Sequence, residues 1–198
     1  MNDRFIVIEG PNGVGKTASA AMLAKRLRDR GYRVHSTCEP SNTPLGRLVR
    51  FGEHGLIGRA LALAVAADRC VHVTDEIIPA LHEGQVVISD RYVPSSLVLQ
   101  RLDGLDLAEV WAYNRWALQP MLTFYLDHDA AIIEKRLDER RQRARLEQAA
   151  SPARERQLYE EAYAFLSGEG WRQAGINCIG RDVDQVVTIM LAHLNLEE

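Results

Sequence analysis

The chain alternates short apolar segments with longer segments whose apolar residues recur at helical spacing. The short segments, typical of β-strands, are Phe5–Ile8, Arg33–Cys38, Val86–Ser89, Leu122–Leu126 and Ile176–Ile179. The central ones lack polar alternation, which indicates strands whose two faces are both buried. We therefore predict an α/β fold, in which a five-stranded parallel sheet carries helices on both faces.

The helical segments complete this picture of strand-helix-strand units. They are Thr17–Arg30, Leu45–Phe51, Gly58–Glu83, Ser95–Leu102, Leu107–Leu118, Ala130–Arg145, Pro152–Leu166 and Val183–Leu194. No repeat, low-complexity tract or proline-rich linker interrupts them, and 198 residues is an ordinary length for one domain. We predict a single domain over residues 1–198.

The overall charge gives no reason to expect a polyanionic partner. There are 24 basic and 27 acidic residues, for a formal net charge of -3, so neither a nucleic acid polymer nor an anionic membrane is favoured. The longest apolar run, residues 60–67, is far shorter than the roughly 20 residues that span a bilayer. Three widely spaced cysteines are typical of small core residues in a reducing compartment. We expect a cytoplasmic protein.

Candidate chemistry begins at residues 10–17, which match the spacing G-x-x-x-x-G-K-[ST] in every fixed position. Its glycines permit a tight turn that aims backbone N–H groups at phosphate oxygens, Lys16 adds a positive charge, and the Thr17 hydroxyl can bind Mg²⁺. The predicted binding set is Gly10, Asn12, Gly13, Val14, Gly15, Lys16, Thr17 and Ala18. A glycine-rich turn without a ligand is the alternative, but the strand before and the helix after favour a nucleoside triphosphate site.

Further candidates follow the second and third strands, because ligands of open parallel sheets bind beyond the carboxyl ends of the strands. Asp90 can hold the water shell of Mg²⁺, and Arg91 can bridge donor and acceptor phosphates. Glu39 could contact Mg²⁺ through one of its bound waters or accept a proton, or it is a solvated turn residue. Arg69, in the most apolar part of a predicted helix, is either a surface residue or a ligand for an anion and a base.

A run of arginines marks a candidate lid at about residues 138–151. Such a run is often only a solvated helix face, but one or two arginines closing over phosphates would neutralise charge and exclude water. The run comprises Arg136, Arg140, Arg141, Arg143 and Arg145.

Together these segments resemble the thymidylate kinase family of nucleoside monophosphate kinases. The matching segments are residues 10–17, 39–46, 67–69, 90–96 and 122–127, in that order. The resemblance implies a P-loop NTPase fold with strand order 2-3-1-4-5 and ATP with Mg²⁺ as the phosphate donor. It also implies a deoxynucleoside monophosphate acceptor and a homodimer.

The resemblance also implies residue roles. Lys16 and Thr17 would bind the ATP phosphates and the metal, and Glu39 and Asp90 would organise the metal and the acceptor side. Arg91 would bind the acceptor phosphate. The implied acceptor-binding set is Glu39, Arg69, Arg91, Ser96, Val65 and Asn12.

In this family a catalytic arginine comes either from the phosphate loop or from the lid. Since the loop offers Val14, the lid must supply it, and the candidates are Arg143 and Arg145, with Arg140 behind them. The chain also departs from the family on the acceptor side. Asn12 replaces an aspartate, Val65 replaces an aromatic residue, Leu99 replaces a tyrosine, and Ser41-Asn42 replaces glycines.

We predict ATP-dependent phosphoryl transfer to a nucleoside monophosphate, with dTMP as the leading acceptor and dTDP as the product. The alternatives are a kinase for another or modified nucleotide and a deoxynucleoside kinase that uses Glu39 as a base. A GTPase and a transporter ATPase are disfavoured, since the chain contains no N-K-x-D and no L-S-G-G-Q segment. A nucleotide-binding module without activity is a further alternative.

Overall fold

The computed structural model describes residues 3–52, 55–139, 145, 150–194 and 196. Its sheet has five parallel strands in the order β2-β3-β1-β4-β5. The strands are β1 (Phe5–Glu9), β2 (Val34–Cys38), β3 (Val86–Asp90), β4 (Leu122–Asp127) and β5 (Gln173–Asn177). The predicted fold class and strand order are confirmed.

Helices cover both faces of this sheet. They are α1 (Lys16–Asp29), α2 (Pro44–Gly52), α3 (Gly58–His72), α4 (Ile78–His82), α5 (Val93–Leu102), α6 (Leu107–Asn114), α7 (Ala130–Asp138), α8 (Pro152–Gly168) and α9 (Val183–Ala192). A five-residue π-helical segment, Val73–Ile77, joins α3 to α4.

The hydrophobic core has two halves, one on each side of the sheet. Ile6, Ile8 and Phe124 face α1, α7 and α9, whereas Phe5 and Val7 face α4, α5, α6 and α8. All five residues of β1 are buried, because this strand is central and covered on both faces. The end of β1 is therefore held rigidly, and the phosphate loop starts from it.

The predicted position of the last strand is wrong by three residues at its start. β5 begins at Gln173 instead of Ile176 and includes Gly175, which the apolar pattern gave no reason to place in a strand. β5 is an edge strand that pairs only with β4, so polar residues along it remain in contact with water.

The predicted helix Gly58–Glu83 is interrupted where the sequence pattern shows no break. Pro79 has no N–H group, so the helix cannot keep its regular hydrogen bonds at that point. The Ile78 N–H instead donates to the Val73 carbonyl, five residues back, and the chain forms the π-helical segment. This segment shifts the register of α4 relative to α3.

Two further predicted boundaries differ from the structure. The helix predicted to start at Ala130 ends at Asp138 instead of Arg145, where the sequence becomes a run of charged residues with few apolar positions to bury. Residues 140–144 lie outside the described residues. The helix predicted over Leu107–Leu118 ends at Asn114.

The cysteines do not share one environment. Cys178 is buried, as predicted, but Cys70 is exposed on α3, so the prediction of a core position is wrong there. Within the described part of the chain, no helix has both the length and the apolar character needed to cross a membrane.

Candidate active site

The phosphate loop connects β1 to α1 through backbone conformations that favour glycine. Gly10, Gly13 and Gly15 all have positive φ values. A Cβ atom added at Gly10 would lie 2.3 Å from the carbonyl oxygen of Leu126 in β4, so the neighbouring strand also excludes a side chain there. The loop therefore packs closely on the sheet and leads directly into the amino end of α1, as an anion site requires.

Lys16 is the first residue of α1 and folds back over the loop. Its Nζ donates hydrogen bonds to the carbonyl oxygens of Gly10 at 2.6 Å and Pro11 at 2.9 Å. Burial, together with the nearby positive charge of Arg91, lowers the pKa of Lys16 to about 7. An arriving phosphate would favour the charged form of this lysine.

Thr17 and Asp90 meet across the carboxyl ends of β1 and β3. The Thr17 hydroxyl donates to Asp90 Oδ2 at 2.5 Å. The other carboxylate oxygen, Asp90 Oδ1, is buried and has no hydrogen-bond partner among the described residues. A hydroxyl beside a carboxylate with an unused oxygen suits Mg²⁺, which takes few protein ligands and keeps phosphates and waters as the others. The described residues contain no cluster of three or more His, Cys, Asp or Glu side chains that would hold a metal ion by themselves.

Arg91 brings the turn after β3 into contact with the phosphate loop. Its φ of 75° is unusual for a residue other than glycine and points to a functional constraint. The guanidinium donates to Ser95 Oγ at 3.2 Å and to Asn12 Oδ1. Burial alone would lower the pKa of Arg91, but the nearby Tyr159, Glu9 and other acidic groups raise it, so the positive charge persists. The structure thus places Arg91 and Lys16 in one charged cluster.

Glu9, which sequence analysis did not select, anchors the turn that carries Arg91. Its fully buried carboxylate accepts hydrogen bonds from the backbone N–H groups of Tyr92 and Ser95, at 2.6 and 3.1 Å, and from the Ser95 hydroxyl at 2.7 Å. These bonds satisfy the amino end of α5, which begins at Val93, two residues before the predicted start. Burial raises the pKa of Glu9 above its usual range.

A cavity of about 200 Å³ lies beside this cluster. It brings together the predicted acceptor residues with an apolar wall. Its lining includes Asn12, Glu39, Val65, Arg69, Arg91 and Ser96, together with Val49, Leu61, Leu99 and Gln100. One end of the cavity is therefore cationic and polar, and another part is aliphatic.

Arg69 is buried at the polar end and makes a dense set of hydrogen bonds. It donates to Glu39 Oε2 at 2.8 Å from Nε and at 2.6 Å from Nη2, and also to Ser96 Oγ at 3.0 Å. A further bond joins it to the side-chain oxygen of Asn114 on α6. Of the two alternatives for Arg69, the exposed surface residue is wrong, since only 1% of it is accessible.

A buried histidine, also missed in the sequence, supports Glu39 from the other side. His72 Nδ1 lies 3.1 Å from Glu39 Oε1, and its Nε2 lies 2.7 Å from the Thr37 hydroxyl on β2. Glu76 in the π-helical segment lies 3.7 Å from the same Nε2. Glu39 is thus held between a guanidinium and an imidazole, and does not project into solvent from a turn.

Gln100 is another lining residue that no motif identified. Only 3% of the residue is exposed, and its Oε1 has no hydrogen-bond partner among the described residues. A buried amide oxygen without a partner is costly unless a ligand supplies a donor. The oxygen therefore suits a polar edge of a bound molecule.

The lid candidates have different positions. Arg145 pairs with Asp103, just after α5, through contacts of 2.6 and 3.0 Å. Arg143 and Arg140 lie outside the described residues. Arg136 of α7, a member of the run that sequence analysis did not prefer, donates to the carbonyl oxygens of Gly13 at 3.4 Å and Val14 at 3.2 Å. It is the arginine of the run that, within the described residues, touches the phosphate loop.

The sequence profile named thymidylate kinase matches residues 8–170, which include the phosphate loop, the cavity and α8. The chain belongs to the thymidylate kinase family. A thymidylate kinase of a Synechococcus strain is 38% identical over 194 residues, covering 93% of this chain and 92% of that relative. A thymidylate kinase of Geobacillus thermodenitrificans is 39% identical over 72% of this chain and 68% of its own length.

Another relative is more similar over a shorter segment. The probable thymidylate kinase of Thermococcus kodakarensis is 46% identical over 134 residues, which cover 62% of this chain. The matched segment spans 65% of the length of that relative. The family resemblance expected from the ordered motifs is thereby confirmed.

Proposed function

We propose that this protein transfers the γ-phosphate of ATP to dTMP and releases dTDP and ADP. The observation that carries the proposal is the contact of Arg91 with Asn12, which joins an acceptor-side arginine to the phosphate loop that contains Lys16. Two phosphate groups bound by these residues would meet over one edge of the sheet. Family membership supports the same reaction.

Phosphoryl transfer to a monophosphate mainly requires that the two phosphate groups be aligned and that their negative charges be neutralised. A phosphate monoester has a second pKa of about 6, so its attacking oxygen needs no strong base at neutral pH. Lys16 and the loop amides would hold the donor, Arg91 would hold the acceptor phosphate, and Thr17 and Asp90 would hold Mg²⁺. When bound, Mg²⁺ neutralises charge on the donor oxygens. The carbonyl contacts of Arg136 support a role for it on the donor side.

The cavity supports a pyrimidine that carries a proton at N3. Val65, Leu61 and Leu99 offer an aliphatic surface to the flat base, and Gln100 Oε1 is a buried acceptor without a partner. Thymine and uracil have an N3–H donor, whereas N3 of cytosine is an acceptor and would repel this oxygen. We therefore assign base selection to Gln100 and expect it to reject dCMP.

A deoxynucleoside kinase with Glu39 as the base is a less suitable assignment. Both carboxylate oxygens of Glu39 already have partners. Oε2 accepts a hydrogen bond from Arg69, and Oε1 lies beside Nδ1 of His72. We assign Glu39 to hold Arg69 in the acceptor cavity. No base is assigned, because the attacking oxygen of a phosphate monoester is already largely deprotonated at neutral pH.

We propose a homodimer as the working form. Large apolar side chains are exposed on the neighbouring helices α2 and α3. The accessible fractions are 60% for Leu48, 63% for Ile57 at the cap of α3, and 48% for Leu63. A second copy packed on these helices would cover them. Light scattering at several concentrations should give twice the mass of the chain for the wild type. The Leu63→Glu variant should give the mass of a single chain.

The proposed reaction is tested by comparing acceptors at fixed ATP and Mg²⁺. We expect dTMP and dUMP to be phosphorylated far faster than dCMP, dAMP, dGMP or thymidine. A strong preference for thymidine would favour the deoxynucleoside kinase, and ATP binding without any product would favour a binding module. Arg91→Ala should abolish most turnover and leave ATP binding intact, whereas Arg115→Ala, at an exposed position, should behave like the wild type.

A further inference from the structure

A buried carboxylate from α8 reaches the phosphate loop. Glu155 lies in the first turn of this helix, which is capped by the Ser151 side chain, and only 4% of the residue is exposed. Its Oε1 accepts hydrogen bonds from both the backbone N–H of Asn12, at 3.1 Å, and the side-chain Nδ2, at 3.0 Å. Neither the motif of the phosphate loop nor the proposed chemistry accounts for a carboxylate at this place.

The bond from Nδ2 determines which way the Asn12 amide faces. With Nδ2 directed at Glu155, the amide oxygen faces Arg91 and accepts a hydrogen bond from its guanidinium. The reversed amide would set its NH₂ group against the guanidinium and its oxygen against the carboxylate, which are two repulsive contacts. Glu155 therefore controls the acceptor that Arg91 binds.

We propose that Glu155 is a positioning residue that acts through Asn12 to aim Arg91 at the phosphate of the acceptor nucleotide. The inference rests on the proposed function, since it assigns Arg91 to the acceptor. It connects the helix that follows the lid segment to the acceptor side of the site. The effect of Glu155 on Arg91 requires one amide and one carboxylate in contact, so that positions 12 and 155 together carry a single negative charge.

Glu155 interacts electrostatically with Lys16, Arg91 and Tyr159, and the carboxylates of Glu9 and Asp90 act on the same two cations. Lys16 of α1 and Arg91 after β3 are the cations, Glu9 of β1 and Asp90 of β3 are carboxylates, and the Tyr159 hydroxyl lies on α8 itself. A second carboxylate at position 12 would add a negative charge to this buried cluster. One of the two carboxyls would then keep its proton to an unusually high pH.

The test is an exchange of the amide and the carboxylate. Four proteins are compared: wild type, Glu155→Gln, Asn12→Asp and the double variant that carries both changes. KM for dTMP, KM for ATP and kcat are measured from about pH 5.5 to about pH 8.5, together with the melting temperature. Glu160→Gln, the same change at an exposed position of α8, is the matched control.

We expect Glu155→Gln to raise the KM for dTMP about fivefold while the KM for ATP changes less than about twofold. Relative to wild type, Asn12→Asp should lose dTMP affinity and thermal stability as the pH rises. The sign follows because its folded state binds one proton more tightly than the unfolded chain does. The double variant, which again has one amide and one carboxylate, should remove this extra pH dependence.

The inference is overturned if Asn12→Asp shows the pH profile of the wild type, or if Glu155→Gln changes the two KM values equally. The double variant separates charge from packing, because it retains both altered side chains and restores only the single charge. If wild type does not phosphorylate dTMP, the proposed function fails. The pH dependence of the four melting temperatures then still tests the charge-sharing pair by itself.

Discussion

Lys16, the lysine of the phosphate loop, lowers the stability of the folded state. Its ammonium group is buried against carbonyl oxygens of the loop and beside Arg91, and its pKa falls to about 7. The folded protein therefore holds the lysine proton more weakly than the unfolded chain, whose lysine keeps a value near 10.5. By linkage, this lysine destabilises the folded state fully below about pH 7, and the effect fades as the pH rises from about 7 toward 10.5.

We expect Lys16→Met to bind ATP poorly and to be more stable than wild type at neutral pH. The gain should be largest below about pH 7 and should shrink as the pH rises toward about 10, because wild type then loses its buried charge. Urea unfolding at a series of pH values measures it. Lys25→Met, on the exposed side of the same helix, should leave stability nearly unchanged; equal pH profiles for Lys16→Met and wild type would refute the burial argument.

Arg136 is the described lid-side arginine whose contacts fit the donor phosphates. Arg136→Ala should lower kcat/KM for ATP about tenfold or more and leave KM for dTMP nearly unchanged, since its guanidinium donates to carbonyl oxygens of the phosphate loop. Steady-state kinetics with each substrate varied in turn will show this. The control is Arg154→Ala, at an exposed arginine near the start of α8. If Arg145→Ala, and not Arg136→Ala, removes turnover, the donor-side role belongs to the preferred sequence candidate.

Helix α3 and the π-helical segment that follows it supply buried polar side chains to the acceptor side. Arg69 and His72 come from α3 and Glu76 from the π-helical segment, and all three act on or near Glu39. Glu76 also reaches His35 on β2 at 2.8 Å. A continuous polar network thus extends from the cavity to the edge strand of the sheet.

His72→Ala should affect both stability and the acceptor site. It removes bonds to Glu39 and Thr37 and leaves a void beside a buried carboxylate, so we expect a loss of about 2 to 3 kcal/mol in the free energy of unfolding. KM for dTMP should rise more than KM for ATP. Denaturant titration and steady-state kinetics measure the two effects. The same change at His82, an exposed residue, should cost little, and a similar loss there would argue against a specific role.

Elements with strong local signals were predictable. β1 is a run of buried apolar residues followed by glycines that the phosphate loop needs, and its position follows from neighbouring residues alone. The bounds of β5 and the π-helical segment were not predictable, because an edge strand tolerates polar residues and Pro79 acts through a carbonyl one turn earlier.

The same distinction holds for the site. Lys16, Asp90 and Arg91 were selected because they stand at fixed positions after strands, and the structure brings them together. Glu9, Gln100 and Glu155 were not selected, since packing alone brings each of them to this site. Glu155 lies 143 positions from Asn12 in the sequence, and no spacing rule connects them.

At the scale of the whole molecule, the sheet brings two cationic groups to one edge. β1 delivers Lys16 and β3 delivers Arg91, and these strands are direct neighbours in the sheet. The register that pairs Ile8 with Asp90 sets the phosphate loop beside the turn that holds Arg91. The proposed reaction requires that this edge bind the triphosphate of ATP and the single phosphate of dTMP at the same time.

The most direct test is calorimetric titration with a molecule in which adenosine and thymidine are joined through a polyphosphate chain. The account predicts tighter binding than ATP or dTMP alone shows, exclusion of both nucleotides by the linked molecule, and weaker binding by both Lys16→Met and Arg91→Ala. The account is contradicted if the linked molecule binds no more tightly than ATP, is displaced by ATP but not by dTMP, and binds equally well to the Arg91→Ala variant.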